Sequence, residues 1–529
     1  MGGKKFSGEN FMSMDGKQLK WGSVLSYFSM GLSIIIGLVY TPVMIRLLGQ
    51  SEYGLYNTVS STISMLSVLS LGFNSSYVRY MAKYKQDNDK EGLYRLNGLF
   101  LIIFSIIGLI ALICGLYLSF HLNIVFKNGL TQQEYATARV LMLLLTVNLA
   151  TSFPLSVFSS IISANERFIF QKIIGMITIV VGPAVTFPLL LMGYRSIAMV
   201  SVSLLLAIFS GFINIYYVIF KLKNRFIFKN FEPGIFKSLF TYTAFIAINL
   251  IIDQINWNID KVLLGRFKGT RAVAVYSVGY ALYSYYMTFS LSVSNVFTPR
   301  IHKLVNETRN NIVEQRKQLT ELFVKVGRIQ FLILALIATG VLFFGREFIL
   351  NIWAGNGYED SYYVALLLII PASIALIQNL GIEIQRAQNL HSFRSYAYLA
   401  MAIINLIMSI YLCQIYGAIG SAIGTAISLI VANGFVMNIF YHKKCNINII
   451  VFWKNILHIC KGLIIPILTG IFIKRFWDCD KMLIYLCGIC IYVVVYVISM
   501  WLFGMNKYEK DLLVQPLSKI LHNNVYKKK

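Results

Sequence analysis

Charge is scarce in this sequence, and acid is scarcer than base. Of 529 residues only 13% are charged, with 22 Asp and Glu against 47 Lys and Arg. Soluble domains carry about a quarter charged residues, so an ordinary solvated surface is excluded and no sizeable soluble domain remains. Histidine and cysteine are also few: the six histidines are scattered at the ends of apolar runs, and the seven cysteines fall mostly within or beside them. Cys487 and Cys490 form a lone C-x-x-C; without a second pair or a nearby His it reads as core packing, not as a metal or redox site. The chain has no G-x-S-x-G elbow, no phosphate-binding glycine loop and no triad spacing, which favours transport over catalysis. No cofactor is expected, apart from Na⁺ or H⁺ as a coupling ion. The +25 net charge is dispersed over thin loops; it fits attraction to anionic lipid headgroups and excludes a nucleic-acid partner.

What is present is apolar. Hydrophobic residues make up 57% of the chain, and the mean hydropathy is +0.67. Runs long enough to cross about 30 Å of hydrocarbon as helix recur from Trp21 to Phe503, and their continuity excludes the short alternating segments of a closed barrel. The expected fold is all-α: a polytopic membrane protein of about fourteen transmembrane helices. These lie at 22–45, 55–78, 98–120, 137–160, 169–192, 196–220, 238–259, 272–298, 320–345, 362–385, 392–415, 417–440, 459–474 and 482–503. Lys and Arg concentrate in the loops on the side of the two termini, which places both termini in the cytoplasm.

Segments about 220 residues apart resemble each other in order along the chain. LLGQSEYGLY from Leu47 matches LLGRFKGTRAVAVY from Leu263, NSSYVR from Asn74 matches NVFTPR from Asn295, and YRSIA from Tyr194 matches YGAIG from Tyr416. The repeat unit is six spans, so the halves enter the membrane in the same direction, as in transporters whose substrate site lies between parallel repeats. The expected organisation is an N-terminal six-helix lobe at 1–220, a cytoplasmic linker at 221–237 and a second lobe at 238–441. Two additional helices at 442–503 and a basic cytoplasmic tail at 504–529 follow.

Polar residues inside the spans mark the candidate site. Asn249, Asp253, Asn256 and Asp260 line one face of the seventh span. An ionised carboxylate at membrane depth requires water, a cation or a partner, which makes Asp253 a buried coupling candidate, with a structural hydrogen bond as the other reading. Asp260, beside Lys261, is an interfacial anchor or a functional group. Asn379 and Glu383 sit one helical turn apart in the tenth span. With Asp253 and Asn256 they can supply hard oxygen ligands to a monovalent cation or share a proton; alternatively Glu383 pairs with Arg386. Arg46, Arg79 and Arg300 near the span ends suit an anionic substrate, because the planar guanidinium binds phosphate oxygens in pairs. The repeat-matched Asn74 and Asn295, and Tyr280 on the polar face of the eighth span, complete the candidate substrate-binding set. Asn57, Ser60, Ser64 and Ser67 form a similar polar face on the second span.

The stretches RLLGQSEYGLY from Arg46, GFNSSYVRYMAKY from Gly72 and DKVLLGRFKGTRAVAVYSVGYAL from Asp260 carry a family resemblance. FILNIWAGNGYEDSYYVALLL from Phe348 and YGAIGSAIGTAIS from Tyr416 add to it. Over residues 20–503 the chain resembles the polysaccharide biosynthesis flippases, the O-antigen and capsule repeat-unit translocases of the multidrug/oligosaccharidyl-lipid/polysaccharide exporter superfamily. The resemblance implies two six-helix lobes in a V, two added helices, and rocking between inward-open and outward-open states. It implies a polyprenyl pyrophosphate carrying a short oligosaccharide as substrate, moved to the outer leaflet for cell-surface polysaccharide synthesis. It also implies a bacterial cytoplasmic (inner) membrane and a monomer working beside glycosyltransferases and a polymerase. Asp253 and Glu383 resemble the acidic residues of a second-lobe cation site. The first span lacks a carboxylate, so the first-lobe proton route of some drug-extruding relatives has no counterpart at that position. A cation-coupled drug extruder on the same fold is the alternative function.

Overall fold

The computed structural model describes residues 9–127, 130–231, 234–295, 297–477, 482–512 and 514. Among them every regular element is a helix. In chain order the first nine are α1 (Glu9–Leu48), α2 (Gln50–Met65), α3 (Phe73–Gln86), α4 (Lys90–Phe120), α5 (Gln132–Ala164), α6 (Phe168–Leu191), α7 (Arg195–Tyr216), α8 (Ile235–Phe267) and α9 (Thr270–Asn295). They are followed by α10 (Thr298–Glu307), α11 (Ile312–Glu347), α12 (Glu359–Leu376), α13 (Leu380–Ala387), α14 (His391–Leu429), α15 (Met437–Lys443), α16 (Ile449–Cys460), α17 (Ile464–Phe476) and α18 (Met482–Ser499). The basic tail beyond 514 lies outside the described residues.

Helix ends are set by side chains that satisfy the orphan backbone groups. Asp89 accepts from the Gly92 amide at 2.8 Å to start α4. Thr131 and Glu134 form a reciprocal capping box on α5, and Asn311 accepts from the Glu314 amide at 3.0 Å to start α11. Within α14, Gly417 has φ 59° and ψ −132°, a left-handed conformation that a side chain at this position would resist. It breaks the long helix where the sequence places the boundary between two spans.

Ten helical stretches among the described residues are long and apolar enough to cross a membrane, and one of them, Ser392–Lys443, contains that break. The protein is therefore a multi-pass membrane protein. The expected spans at 55–78, 238–259 and 272–298 fall outside the ten. Over 55–78 the α-helix ends at Met65, short of a full crossing, and all three segments carry polar residues within their helices.

Packing divides the chain into two compact units, one of residues 1–277 with 406–421 and one of 278–405 with 422–529. In the first unit α4 and α5 make the most extensive helix pair. Phe73 and Tyr77 of α3 and Phe100 and Phe104 of α4 are fully buried; Tyr77 meets Phe100 edge-on with ring centroids 5.2 Å apart, and Phe100 stacks on Phe104. The Tyr77 hydroxyl donates to Asn97 Oδ1 at 2.7 Å, and Asn97 Nδ2 donates to the Arg225 carbonyl at 3.1 Å, which fixes the linker after α7 against α4. In the second unit α18 is pinned to α11 by phenols: Tyr485 donates to the Phe344 carbonyl at 3.0 Å and Tyr496 to the Leu332 carbonyl at 2.7 Å.

Candidate functional site

The polar residues of α8 serve three different ends. Asn249 and Asp253 are exposed and Asn256 is half-buried. On an adjacent face, Gln254 Nε2 donates to Ser67 Oγ at 3.1 Å and Asn258 Nδ2 donates to Gln254 Oε1 at 2.6 Å, a link from α8 to the short helix after α2. Toward the C-terminal end of α8, Asp260 is only 2% exposed, and its Oδ2 accepts from the Tyr276 hydroxyl at 2.8 Å. This reverses the expected burial, which made Asp253 the buried carboxylate and Asp260 the interfacial anchor. The cause is the tight α8–α9 turn, which folds Tyr276 back over Asp260. Tyr276→Phe removes a hydrogen bond to a buried acidic group, so it is expected to destabilise the first unit by about 1–3 kcal/mol. Thermal unfolding in detergent measures this, and an unchanged midpoint would show that the bond contributes nothing.

Around this end, four loops that the basic-residue pattern assigns to the outer side converge. Ser51 Oγ, at the start of α2, lies 2.8 Å from Thr270 Oγ1 at the start of α9 and donates to the Glu134 carboxylate of α5. Glu52 accepts from the Ser196 amide at 2.9 Å and from Arg195 Nη1 at 3.3 Å, both at the start of α7. Between these groups is a polar cavity of about 520 Å³, lined also by Arg271. Below it α2 lies directly on α8 and α9. A Cβ on Gly54 would stand 1.8 Å from the Thr270 carbonyl oxygen, and one on Gly265 would stand 2.4 Å from Thr58 Cγ2. Two bare glycine surfaces therefore make the seam. The capping-box spacing of Thr131 and Glu134 was the sequence signal for one of these partners; nothing in the sequence joined it to Ser51 or Thr270.

The remaining candidates are dispersed. Arg46, Arg79 and Arg300 are exposed, at the end of α1, midway along α3 and at the start of α10, where guanidinium groups can meet phosphate or lipid headgroups. Asn74 is exposed and its Oδ1 accepts from Ser160 Oγ at 3.2 Å, which links α3 to α5. Nearby, Lys85 donates to the Ala164 carbonyl at the end of α5 at 3.0 Å. Burial holds its ammonium below the usual lysine range, with Glu166 opposing that effect. The side chain of Asn295 lies outside the described residues. Tyr280 is half-buried, its ring 5.7 Å from that of Tyr283.

In the second unit, Glu383 accepts from Arg386 Nη1 at 2.6 Å, the pairing that the sequence held open. Asn379 and Glu383 do not share one continuous helix. The chain turns between α12 and α13, with the Gly381 amide donating to the Gln378 carbonyl at 2.8 Å, and Asn379 stands at the N-cap of α13. The Asn379 Nδ2 is buried without a hydrogen-bond partner among the described residues, so this amide has unused donor capacity. Asp253 belongs to the first unit, and Asn379 and Glu383 to the second. No group of three or more His, Cys, Asp or Glu among the described residues could hold a metal ion.

The fold and sequence have recognisable relatives. Over 521 residues the chain is 23% identical to an uncharacterised membrane protein of Methanocaldococcus jannaschii, covering 94% of this chain and 97% of that one. Over 200 residues it is 24% identical to a probable low-salt glycan biosynthesis flippase of Haloferax volcanii. That match spans 37% of this chain and 40% of the Haloferax protein. Among solved structures, the lipid II flippase MurJ in an inward closed conformation superposes with a TM-score of 0.67 at 17% identity, over 93% of this chain and 99% of that one. An inward-facing multidrug resistance MATE family transporter of the MOP superfamily gives a TM-score of 0.61 at 14% identity, over 82% and 99% of the two chains. At these identities the structural matches establish a shared polytopic fold. The model of the polysaccharide biosynthesis protein family matches residues 21–305, more than half of the chain, and the protein belongs to that family.

Proposed function

We propose that the protein is a flippase that carries polyprenyl-pyrophosphate-linked oligosaccharide repeat units from the cytoplasmic to the outer leaflet of the cytoplasmic membrane by alternating access, for cell-surface polysaccharide synthesis. The observation that carries this reading is α8. It lies within a multi-pass bundle of a polysaccharide biosynthesis family member, yet it exposes Asn249 and Asp253. A sugar pyrophosphate cannot cross about 30 Å of hydrocarbon unaided, while its polyprenyl tail stays in the lipid; a wet polar face inside a bundle meets both demands. In this reading the lobes are 1–220 and 238–441, joined by the linker 221–237, with the helices of 442–503 beside them and the tail 504–529 and both termini in the cytoplasm. Arg46, Arg79 and Arg300 attract the pyrophosphate, with Asn74, Asn295 and Tyr280 beside it. Asp253, Asn256, Asn379 and Glu383 couple the cycle to Na⁺ or H⁺. The protein works as a monomer beside glycosyltransferases and a polymerase.

The reading is tested by translocation of a lipid-linked oligosaccharide in proteoliposomes under defined ion gradients. Asp253→Ala is expected to lower turnover at least about tenfold and to remove its gradient dependence. Arg79→Ala is expected to raise the substrate concentration needed for half-maximal rate and to leave the gradient dependence intact. Unchanged turnover in Asp253→Ala removes Asp253 from coupling; a wild-type protein that moves no lipid-linked glycan rejects the flippase itself. A drug extruder on the same fold is the second reading, favoured by the MATE-like fold.

A further inference from the structure

The first unit contains a second, open-sided cavity of about 560 Å³, lined by residues of α1, α2, α6 and α7. We propose that it is a binding site for a neutral sugar ring, the uncharged part of the glycan; the proposal rests on the flippase reading and narrows its substrate. The volume falls within the roughly 300–1,000 Å³ of small-ligand pockets.

Its lining has a distinctive chemistry. Six hydroxyl groups face it, from Tyr40, Tyr56, Thr178, Thr186, Ser203 and Ser210, and no lining residue is charged. Three of these hydroxyls spend their proton on their own helix. Thr178 donates to the Gly175 carbonyl at 2.8 Å, Thr186 to the Gly182 carbonyl at 2.7 Å and Ser203 to the Met199 carbonyl at 2.9 Å. Thr178 and Ser203 keep oxygen lone pairs as acceptors for an incoming hydroxyl, while Thr186 also pairs with the Tyr40 hydroxyl and Ser60 with that of Tyr56. Among the described residues, Ser210 Oγ is buried without a hydrogen-bond partner, and Asn214 Oδ1, one turn further along α7, is in the same state. Buried polar atoms ordinarily find partners, so the two mark unused capacity on one face of α7. Met44, Ile179 and Leu206 supply apolar wall between the hydroxyls.

Charge decides among the ligand classes. A pyrophosphate requires cations and an organic cation requires an acid or an aromatic cage; the lining carries neither charge. A polyprenyl chain would leave the Ser210 hydroxyl facing hydrocarbon with no partner. A pyranose has a rim of hydroxyls around an apolar C–H face, which matches a ring of acceptors alternating with aliphatic wall. The same neutrality discriminates against uronic acids, whose carboxylate would be desolvated here without a partner.

Gly182 gives a clean variant. A Cβ there has Leu206 Cδ1 at 3.5 Å as its nearest neighbour, an ordinary contact, so Gly182→Leu fills the cavity without moving backbone. The full chain is purified in a non-glycosidic detergent, and saturation-transfer NMR is recorded with methyl glucopyranoside, glucuronate and tetraphenylphosphonium. Farnesyl pyrophosphate binding is measured on the same samples. The glucoside is expected to receive saturation from the wild type, to lose it in Gly182→Leu and to bind about threefold to tenfold more weakly to Ser210→Ala. Glucuronate and the organic cation are expected to show no transfer that Gly182→Leu removes. Equal glucoside signals from the wild type and Gly182→Leu overturn the proposal, as does a cavity that takes tetraphenylphosphonium in place of the glucoside. Farnesyl pyrophosphate separates the two readings: glucoside binding without it leaves the sugar site standing and counts against the flippase, and farnesyl pyrophosphate binding without glucoside does the reverse.

Discussion

Gly54→Leu is expected to lower translocation at least about fivefold while the protein still inserts and folds. The argument is steric. With a Cβ at position 54 placed 1.8 Å from the Thr270 carbonyl oxygen, α2 cannot lie on the start of α9 as it does here, and a backbone carbonyl cannot swing aside as a side-chain tip can. Overpacking of this kind costs about 1–3 kcal/mol, which is charged to the closed seam alone and shifts its population by about 5-fold to 150-fold. In the alternating-access reading, a protein that cannot close this seam cannot complete its cycle. A cysteine pair at Ser51 and Thr270, whose hydroxyl oxygens lie 2.8 Å apart, reports the closure directly. Oxidative cross-linking is expected in the otherwise wild-type chain and not with Gly54→Leu. Gly31→Leu in α1 is the control, since a Cβ there meets nothing within 4 Å. Cross-linking at the wild-type rate with Gly54→Leu would show that the seam adapts and that the steric argument fails.

The seam suits a closure that must reopen. Its contacts are glycine surfaces, the hydroxyl pair of Ser51 and Thr270, and the carboxylates of Glu52 and Glu134 beside Arg195 and Arg271. Hydrogen bonds of this kind, made at the rim of an open polar cavity, exchange partners with water at a net cost of about 1 kcal/mol each. Deeper in the same helix pair, Asp260 and Tyr276 hold α8 to α9 through a buried bond, which keeps that hairpin together as a unit. In the alternating-access reading, movement at this end is therefore expected between α2 and the α8–α9 hairpin, not within the hairpin.

Periodicity in the sequence assigned Asn249, Asp253, Asn256 and Asp260 to one face of α8, but it carries no information about what that face meets. Burial depends on the neighbour, and Tyr276 comes from the next helix. For the same reason Gln254 and Asn258, on an adjacent face, escaped notice until Ser67 was seen against them. Composition made the membrane bundle legible because about 20 apolar residues in a row have few other stable fates. The break at Gly417 was legible as a boundary between spans, since the loop motif YGAIG stands there. The turn that separates Asn379 from α12 was not, because the residues around it remain apolar enough to continue a helix. The cavity of hydroxyls draws its lining from α1, α2, α6 and α7; each Ser or Thr, read alone, is ordinary helix-packing material.

The least legible feature is an ion pair whose members are 181 residues apart. Arg328 of α11 is 2% exposed and Glu509 is 3% exposed. Their side chains meet as a fork, with Nε 2.5 Å from Oε1 and Nη2 2.9 Å from Oε2. The guanidinium also donates to the Asn455 carbonyl at 3.1 Å and the Gly504 carbonyl at 3.0 Å. The Asn506 amide donates to Glu509 Oε2 at 2.8 Å, and Asn506 Oδ1 accepts from the Glu509 amide at 2.9 Å, so the same carboxylate caps the short helix that follows α18. A buried charge that loses its partner costs about 3–5 kcal/mol, whereas replacing both members with apolar residues of similar volume leaves no charge stranded. Glu509→Ala and Arg328→Ala are each expected to destabilise the second unit by about that amount, and Arg328→Met with Glu509→Leu to recover most of it. Thermal unfolding of the detergent-purified chain, with proteolysis at the C-terminal end as a local readout, distinguishes the cases. If Glu509→Ala is no less stable than the double substitution, the pair does not hold the segment to α11. If the double substitution is as unstable as the singles, the bonds to the Gly504 and Asn455 carbonyls matter more than the charge.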